Sequence, residues 1–177
     1  RYGHSAVVLG KDVYLVGGYD DTSLDVFDTA SLLWKTTENP SDIPEKIDSA
    51  AAIALKDRYV VLIGGFGFSL LRSCFIFDSL FNCWSKTAPS MIMNAGRVDH
   101  SAVVLDGKVV VHGGSGSTDR STSIEFIKIQ DLLEYAPLFF PLPPFYFNRI
   151  LILGKDCGAI TIQGNQNTSK RKRCDDE

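Results

Sequence analysis

The chain has 177 residues, of which 45% are hydrophobic and 22% are charged, and its formal net charge is −3. This composition is typical of a globular domain and excludes a disordered chain, which would carry fewer large apolar residues. The slightly acidic balance argues against nucleic-acid binding, which needs a basic surface. The longest apolar run, 59–71, is broken by glycines and is too short to cross a bilayer, so we expect no membrane association.

Four cysteines are too few for a disulfide scaffold. If residues 79–82 form a tight turn, Cys83 pairs with Asp78 and Cys74 with Thr87 across two strands. The two thiols then lie roughly 13 Å apart along the strands. A disulfide needs Cα atoms within about 7 Å, so both cysteines are predicted to be reduced. We therefore expect a reducing, cytoplasmic location.

A repeat of about 48 residues organises the sequence from its first residue. Residues 1–9, RYGHSAVVL, return as RVDHSAVVL at 97–105. A second strand-like run follows in each unit and ends in a pair of glycines. The three pairs are Gly17 and Gly18, Gly64 and Gly65, and Gly113 and Gly114.

The second half of the unit repeats as well. The runs LDVFD at 24–28 and CFIFD at 74–78 each end in aspartate, and Trp34 and Trp84 follow at the same spacing. The third copy, at 124–128, keeps the strand pattern but loses the aspartate. Glu134 stands where this copy should carry its tryptophan.

Each unit is predicted to form four short strands without a helix, which is the content of one β-propeller blade. The R-x-x-H-S-A opening, the glycine pair, the aromatic-Asp strand and the tryptophan together resemble the kelch repeat over residues 1 to about 135. The resemblance implies an all-β fold, a partial kelch-type β-propeller with about three four-stranded blades and a partial fourth. It also implies that the tryptophans pack between blades.

The expected boundaries follow the repeat. We predict a partial propeller over 1–164, with blades at about 1–45, 46–95, 96–135 and a partial one at 145–164. We predict a disordered charged tail over 165–177. About 3.5 units cannot close an ordinary ring of 4–8 blades, so the end blades should expose apolar faces. The chain is therefore expected to be a fragment of a longer propeller, or to complete its ring with another chain.

The glycines and histidines are assigned structural roles. The glycine pairs end strands where the backbone takes positive φ or passes a neighbour closely, and they lack the Lys-Ser/Thr and helix of a phosphate-binding loop. His4 and His100 occupy equivalent repeat positions and are expected to pack or to hydrogen-bond at strand ends. His112 stands where Val16 and Ile63 stand in the other units, so it is expected to be buried. No metal site, cofactor or catalytic residue is predicted.

Function is then expected in the loops between the second and third strands, which leave a propeller at one end. The candidate binding residues are the charged residues of these loops: Asp20, Asp21, Arg72, Asp119 and Arg120. The resemblance implies a non-catalytic scaffold that binds a protein partner. The alternatives are a fragment of a galactose-oxidase-like propeller enzyme and a degenerate repeat fragment without independent function.

The basic tetrad Lys170–Arg173 lies in the expected tail. Such a cluster allows nuclear import as an alternative to a solvated chain end.

Overall fold

The computed structural model describes residues 1–35, 42–88, 93–116 and 123–136, and the backbone of 149–153 and 160–164. Contacts divide the chain into two compact units, Arg1–Leu138 and Phe139–Glu177. In the described part of the second unit, strands β12 (Arg149–Leu153) and β13 (Ile160–Gly164) form an antiparallel hairpin. The expected partial blade at 145–164 and the tail at 165–177 lie largely outside the described residues, and the domain boundaries stay a prediction.

The first unit contains three antiparallel sheets in chain order. Sheet 1 comprises β1 (Ser5–Leu9), β2 (Asp12–Val16), β3 (Leu24–Asp28) and β4 (Leu33–Lys35). Sheet 2 comprises β5 (Ala51–Leu55), β6 (Tyr59–Ile63), β7 (Cys74–Asp78) and β8 (Cys83–Lys86). Sheet 3 comprises β9 (Ser101–Leu105), β10 (Lys108–His112) and β11 (Ile124–Lys128). Within each sheet the strands lie side by side in sequence order, as the repeat predicts.

An aspartate at the end of the third strand builds the turn to the fourth strand in sheets 1 and 2. Asp28 Oδ1 accepts the backbone N–H of Ala30 at 2.8 Å, and Asp78 Oδ1 accepts that of Leu80 at 3.0 Å. Each bond satisfies a backbone donor that the tight turn would otherwise leave unpaired. The aspartate of the sequence pattern is therefore a turn-forming residue.

Sheet 3 departs from the expected four strands, and Lys128 stands where sheets 1 and 2 have the turn-forming aspartate. A short helix, α1 (Ile129–Leu133), follows β11 where the pattern predicts a turn and a fourth strand. Leu132 on this helix is fully buried in the core between sheets 2 and 3. The helix thus supplies apolar packing in place of the missing tryptophan strand.

Two apolar cores join the three sheets. The first combines residues of sheet 1, such as Tyr14 and Val26, with Phe77 and Trp84 of sheet 2. The second combines the opposite face of sheet 2 with sheet 3 and α1. Each strand of sheet 2 alternates between these two cores, since side chains of a strand point to opposite faces in turn.

The glycine pairs lie where one sheet passes the next. A Cβ on Gly17 would lie 2.5 Å from the carbonyl oxygen of Ile47, and one on Gly64 would lie 2.9 Å from that of Arg97. Both glycines also have φ near +60°. Close approach and positive φ therefore both require glycine here, as predicted.

The all-β architecture is confirmed, but the prediction for His112 is wrong. Sheet 1 exposes Trp34, and sheet 3 exposes Phe126, on the faces that point away from sheet 2. His112 lies on the same outer face of sheet 3 and is exposed. Its register equivalents, Val16 and Ile63, are buried in the cores between sheets 1 and 2 and between sheets 2 and 3.

The predicted cysteine register is confirmed. Cys83 pairs with Asp78, the amide of Thr87 donates to Cys74 at 3.0 Å, and no disulfide joins the two cysteines. Burial raises the pKa of the Cys74 thiol to about 12. Among the described residues, no helix has the length and apolarity needed to span a bilayer.

Candidate functional site

One end of the first unit, which we call the loop end, carries the loops between the second and third strands of the sheets, where the sequence predicts binding. In sheet 1, Val16 at the end of β2 pairs with both Ser5 and Leu24, the first residues of β1 and β3. The β2–β3 loop and the segment before β1 therefore lie at the same end, and the same register holds in sheets 2 and 3. Backbone bonds join these segments from sheet to sheet, with Ser49 N–H donating to Gly3 at 2.7 Å and Asp99 N–H donating to Ser49 at 3.1 Å.

This end carries four exposed aromatic residues, which we call the aromatic surface: Tyr2, Tyr19, Phe66 and Phe68. The rings of Tyr2 and Tyr19 stack with centroids 4.9 Å apart. Phe66 is fixed by two backbone bonds to Asp48, of 2.8 and 3.0 Å. Phe68 is 100% exposed. Solvent contact of aromatic rings on anchored loops is typical of a binding surface.

The predicted contact residues of the first loop have intramolecular partners. Asp20 accepts a bond from Lys46 at 2.5 Å, and both side chains stay solvent-exposed. Asp21 accepts the backbone N–H of Ser23 at 2.8 Å and lies 3.2 Å from Arg1. The backbone bond from Ser23, aided by Arg1, lowers the pKa of Asp21. Asp20 thus remains accessible at the aromatic surface, whereas Asp21 serves mainly to shape its own loop.

The charged candidate residue of the second loop also has a hydrogen-bond partner within the chain. Arg72 donates from Nε to the carbonyl of Met93 at 2.6 Å, and Met93 N–H donates back to Arg72 at 2.9 Å. Arg72 therefore ties this loop to the segment before sheet 3. Asp119 and Arg120 of the third loop lie outside the described residues. Whether these five residues contact a partner stays a prediction.

The structural repeat residues differ in how closely neighbouring segments enclose them. Gly65 and Gly114 would each place a Cβ within 3.0 Å of atoms of the segment that precedes a first strand. Gly18 is less tightly enclosed, and Gly113 has nothing within 4 Å. Trp84 is 2% exposed in the core between sheets 1 and 2, as the resemblance implied, whereas Trp34 is 55% exposed.

A buried ion pair between sheets 2 and 3 was not anticipated. Arg97 is completely buried and forms an ion pair with Glu125. It also donates to the carbonyl of Gly113 at 3.0 Å and to Ser123 Oγ at 2.9 Å. Arg97 therefore fixes the segment before β9. This segment is the part of sheet 3 that lies at the loop end.

Comparison of the repeats could have revealed this pair. Arg1 and Asp25 occupy the equivalent positions in sheet 1 and also form an ion pair. Sheet 2 has Ile47 and Phe75 at these positions, both buried. The two positions are thus both charged or both apolar, which is the pattern expected of residues in contact.

The described residues also bear on two other kinds of site, a metal centre and a ligand cavity. Within the described ranges, no group of three or more His, Cys, Asp or Glu side chains could hold a metal ion. A cavity of about 840 Å³ opens at the opposite end, between sheets 2 and 3 and beneath α1. Its lining is mainly apolar and includes Leu55, Val104 and Leu133. It offers few polar groups with which to orient a ligand.

Comparisons with known proteins agree with the repeat architecture. The family model described as "KLHDC2/KLHL20/DRC7 Kelch-repeats domain" matches residues 1–133. Kelch domain-containing protein 3 of Bos taurus is 28% identical over 129 residues, covering 64% of this chain and 34% of that protein. Kelch-like protein 24 of Homo sapiens is 31% identical over 110 residues, covering 62% of this chain and 17% of that protein.

The chain belongs to the kelch-repeat family, because the family model covers most of its length. Its three sheets are kelch blades. The chain spans about a third of the length of Kelch domain-containing protein 3 and less of Kelch-like protein 24. Kelch-repeat domains generally serve as protein-interaction scaffolds.

Proposed function

We propose that this kelch-repeat chain is a non-catalytic scaffold that binds a protein partner through the aromatic surface at its loop end. The observation that carries the proposal is the full exposure of Phe68 beside Tyr2, Tyr19 and Phe66 on loops fixed by backbone bonds. Aromatic residues are enriched at the centres of protein interfaces, where they give much of the binding energy.

The charged residues nearby have a supporting role in this proposal. Asp20, held beside Lys46, offers polar contacts at the edge of the aromatic surface. Asp21 and Arg72 hold the two loops in shape. We keep the cytoplasm as the proposed location, with nuclear import through Lys170–Arg173 as the alternative.

The proposal is tested by affinity capture with the full chain, followed by mass spectrometry. A Tyr19→Ser/Phe68→Ser variant should lose partners that the wild-type chain captures, since each exposed ring contributes contact area but little to the core. Leu80→Ser is the matched control, because Leu80 is also exposed but lies on the turn at the opposite end. If all three proteins capture the same partners equally well, the aromatic surface is not the binding site.

Metal analysis of the purified chain separates this function from the enzymatic alternative. Stoichiometric copper would favour a galactose-oxidase-like protein, and its absence together with partner capture would favour the scaffold.

A further inference from the structure

The part of the aromatic surface that lies where sheets 1 and 2 meet also carries charged side chains. Tyr19 and Asp20 belong to the β2–β3 loop, and Phe66 and Phe68 belong to the β6–β7 loop. Asp48 lies on the segment between the two sheets. We call these five residues the junction surface. All four strands of both sheets are described, so the junction surface has a described sheet on each side.

Backbone hydrogen bonds anchor the two loops to the same short segment. Gly18, next to Tyr19, donates its N–H to the carbonyl of Ile47 at 3.0 Å. Phe66 exchanges two backbone bonds with Asp48, of 2.8 and 3.0 Å. Because Ile47 and Asp48 are consecutive, the exposed rings of the two loops are held close to one another and to the carboxylate of Asp48.

The junction surface carries more negative than positive charge. Asp20 pairs with Lys46 at 2.5 Å, and both side chains are more than half exposed, so water screens this pair. Asp48 forms no ion pair with any described residue. Desolvation and then the hydroxyl of Tyr19 raise the pKa of Tyr2, and the carboxylates of Asp48 and Asp20 raise it further. Both carboxylates therefore act on the stacked tyrosine rings.

Aromatic rings beside carboxylates are suited to an arginine side chain, whose guanidinium group stacks on a ring and donates two bonds to a carboxylate. The opposite end of sheet 2 contains such an arrangement within the chain. Arg58 donates to Asp78 Oδ1 at 3.0 Å and to Oδ2 at 2.6 Å. Its guanidinium carbon lies 5.0 Å from the ring centroids of Tyr59 and Phe81.

The junction surface has the rings and the carboxylates of this arrangement without its cation. Among the described residues, no lysine or arginine lies over the rings of Tyr19, Phe66 or Phe68. Charge complementarity therefore favours a positively charged occupant. An acidic segment would bring its carboxylates towards those of the junction surface, which is unfavourable.

We infer that the protein partner presents a basic segment, and that an arginine of this segment packs on the rings of the junction surface and pairs with Asp20 and Asp48. Lys46 competes with this arginine for Asp20, since the two exposed groups form only a screened pair. The inference rests on the proposed function and adds the charge of the partner to it.

Selection from a random peptide library displayed on phage, against the full 177-residue chain, tests the inference. We expect the selected peptides to be enriched in arginine relative to the library. Enrichment of Asp and Glu, an unchanged charge, or a selection without binding peptides would overturn the inference. If non-basic peptides are selected and lose binding to Tyr19→Ser/Phe68→Ser, the inference fails and the proposed function stands. Peptides that bind this variant as tightly as the wild-type chain contradict the proposed function itself.

Charge variants have effects of opposite sign for basic and acidic partners. With a synthetic copy of a selected peptide, Asp20→Asn/Asp48→Asn should raise the dissociation constant about 5-fold, as expected for the loss of two exposed ion pairs. Lys46→Gln should lower it about 2-fold, because Asp20 is then free to pair with the peptide. Fluorescence anisotropy measures both. If the first variant binds as tightly as the wild-type chain, or if Lys46→Gln binds more weakly, the inference is wrong.

Asp57→Asn/Asp106→Asn is the matched control. It removes the same charge from two exposed turn residues at the opposite end, which have positive φ as Asp20 does. This variant should keep the wild-type dissociation constant, and a rise of about 5-fold here would assign the effect to net charge.

Circular dichroism checks that each variant is folded. Where a variant loses its β-sheet spectrum, the wild-type chain in increasing NaCl carries the same test. The dissociation constant should then rise with salt, because salt screens exposed ion pairs, and a constant independent of salt would overturn the inference.

Discussion

Trp34 and Trp84 occupy the same position in consecutive repeats and pair with equivalent phenylalanines at ring-centroid distances of 5.2 and 5.1 Å, but they differ in what covers them. Trp84 is 2% exposed because sheet 1 packs on it, whereas Trp34 is 55% exposed. The repeat thus determines the local arrangement of the ring pair, while its burial depends on a neighbouring sheet. Variants at covered and uncovered copies of one position separate the two contributions.

The largest effect is expected at the covered tryptophan. Trp84→Ala should lower the free energy of unfolding by about 3–5 kcal/mol, because it removes a buried ring from the core between two sheets. Trp34→Ala should lower it by only about 1 kcal/mol, the value of an aromatic pair contact. Urea unfolding followed by circular dichroism measures both. Equal losses would contradict the view that burial, not local pairing, gives Trp84 its contribution.

The two arginine pairs provide the next contrast. Arg97→Ile should lower the free energy of unfolding by about 3 kcal/mol, because Glu125 would be left as an uncompensated charge between the sheets. The double variant Arg97→Ile/Glu125→Phe copies the residues of sheet 2, and should regain more than half of that loss. A double variant no more stable than Arg97→Ile would show that the two positions do not exchange as a unit.

The equivalent single substitution in sheet 1 is the control for this cycle. Arg1→Ile should change the free energy of unfolding by less than about 1 kcal/mol, since the pair between Arg1 and Asp25 is partly solvated.

A smaller contrast is expected between two glycines with positive φ. Gly64→Ala should destabilise by about 2–3 kcal/mol, because its Cβ would meet three atoms within 3.0 Å. Gly107 has a similar φ of 73° but nothing within 4 Å, so Gly107→Ala should cost about 1 kcal/mol from the backbone conformation alone. Thermal unfolding of the two variants compares them directly. A cost at Gly107 as large as that at Gly64 would assign the whole effect to φ.

The smallest effect is a pH dependence from His100. Burial, aided by the charge of Arg97, lowers the pKa of His100 below its ordinary value of 6.5. The unfolded chain then binds this proton more readily than the folded chain, so stability should fall as pH drops below about 6.5. His100→Ala, which copies Ala50 of sheet 2, should flatten the slope between pH 6.5 and 5. The exposed His4→Ala should keep it, and a wild-type slope in His100→Ala would exclude this histidine as the cause.

The sequence predicted the features that each repeat specifies by itself and missed those that depend on a neighbouring sheet. The strands of sheets 1 and 2 and the cysteine register follow from local pattern and are found as expected, whereas the fourth strand of sheet 3 is replaced by α1. His112 could not be placed correctly, because the same register position is buried or exposed according to whether another sheet follows. The buried pair of Arg97 and Glu125 could have been predicted. Comparison of the three repeats shows that both positions are charged in sheets 1 and 3 and apolar in sheet 2.

The loop end shows the same limit. The sequence located the loops, because they fall at fixed points of the repeat. Charged residues were chosen as contacts, yet Asp21 and Arg72 bond within the chain and the aromatic rings of the same loops face solvent. Residue type alone does not show whether a charged loop residue is hydrogen-bonded within the chain or available to a partner.

Lys128, which stands where sheets 1 and 2 have the turn-forming aspartate, lies at the end of the outermost described strand of sheet 3. In sheets 1 and 2 the third strand is flanked on both sides, but among the described residues β11 has only β10 beside it. An edge strand of this kind has unpaired backbone donors and acceptors, which can pair with strands of other molecules and start fibril formation. A lysine at the end of it is the type of residue that natural proteins use to discourage this. Lys128 therefore places a positive charge at the end of this edge, which should disfavour pairing with a strand of another molecule.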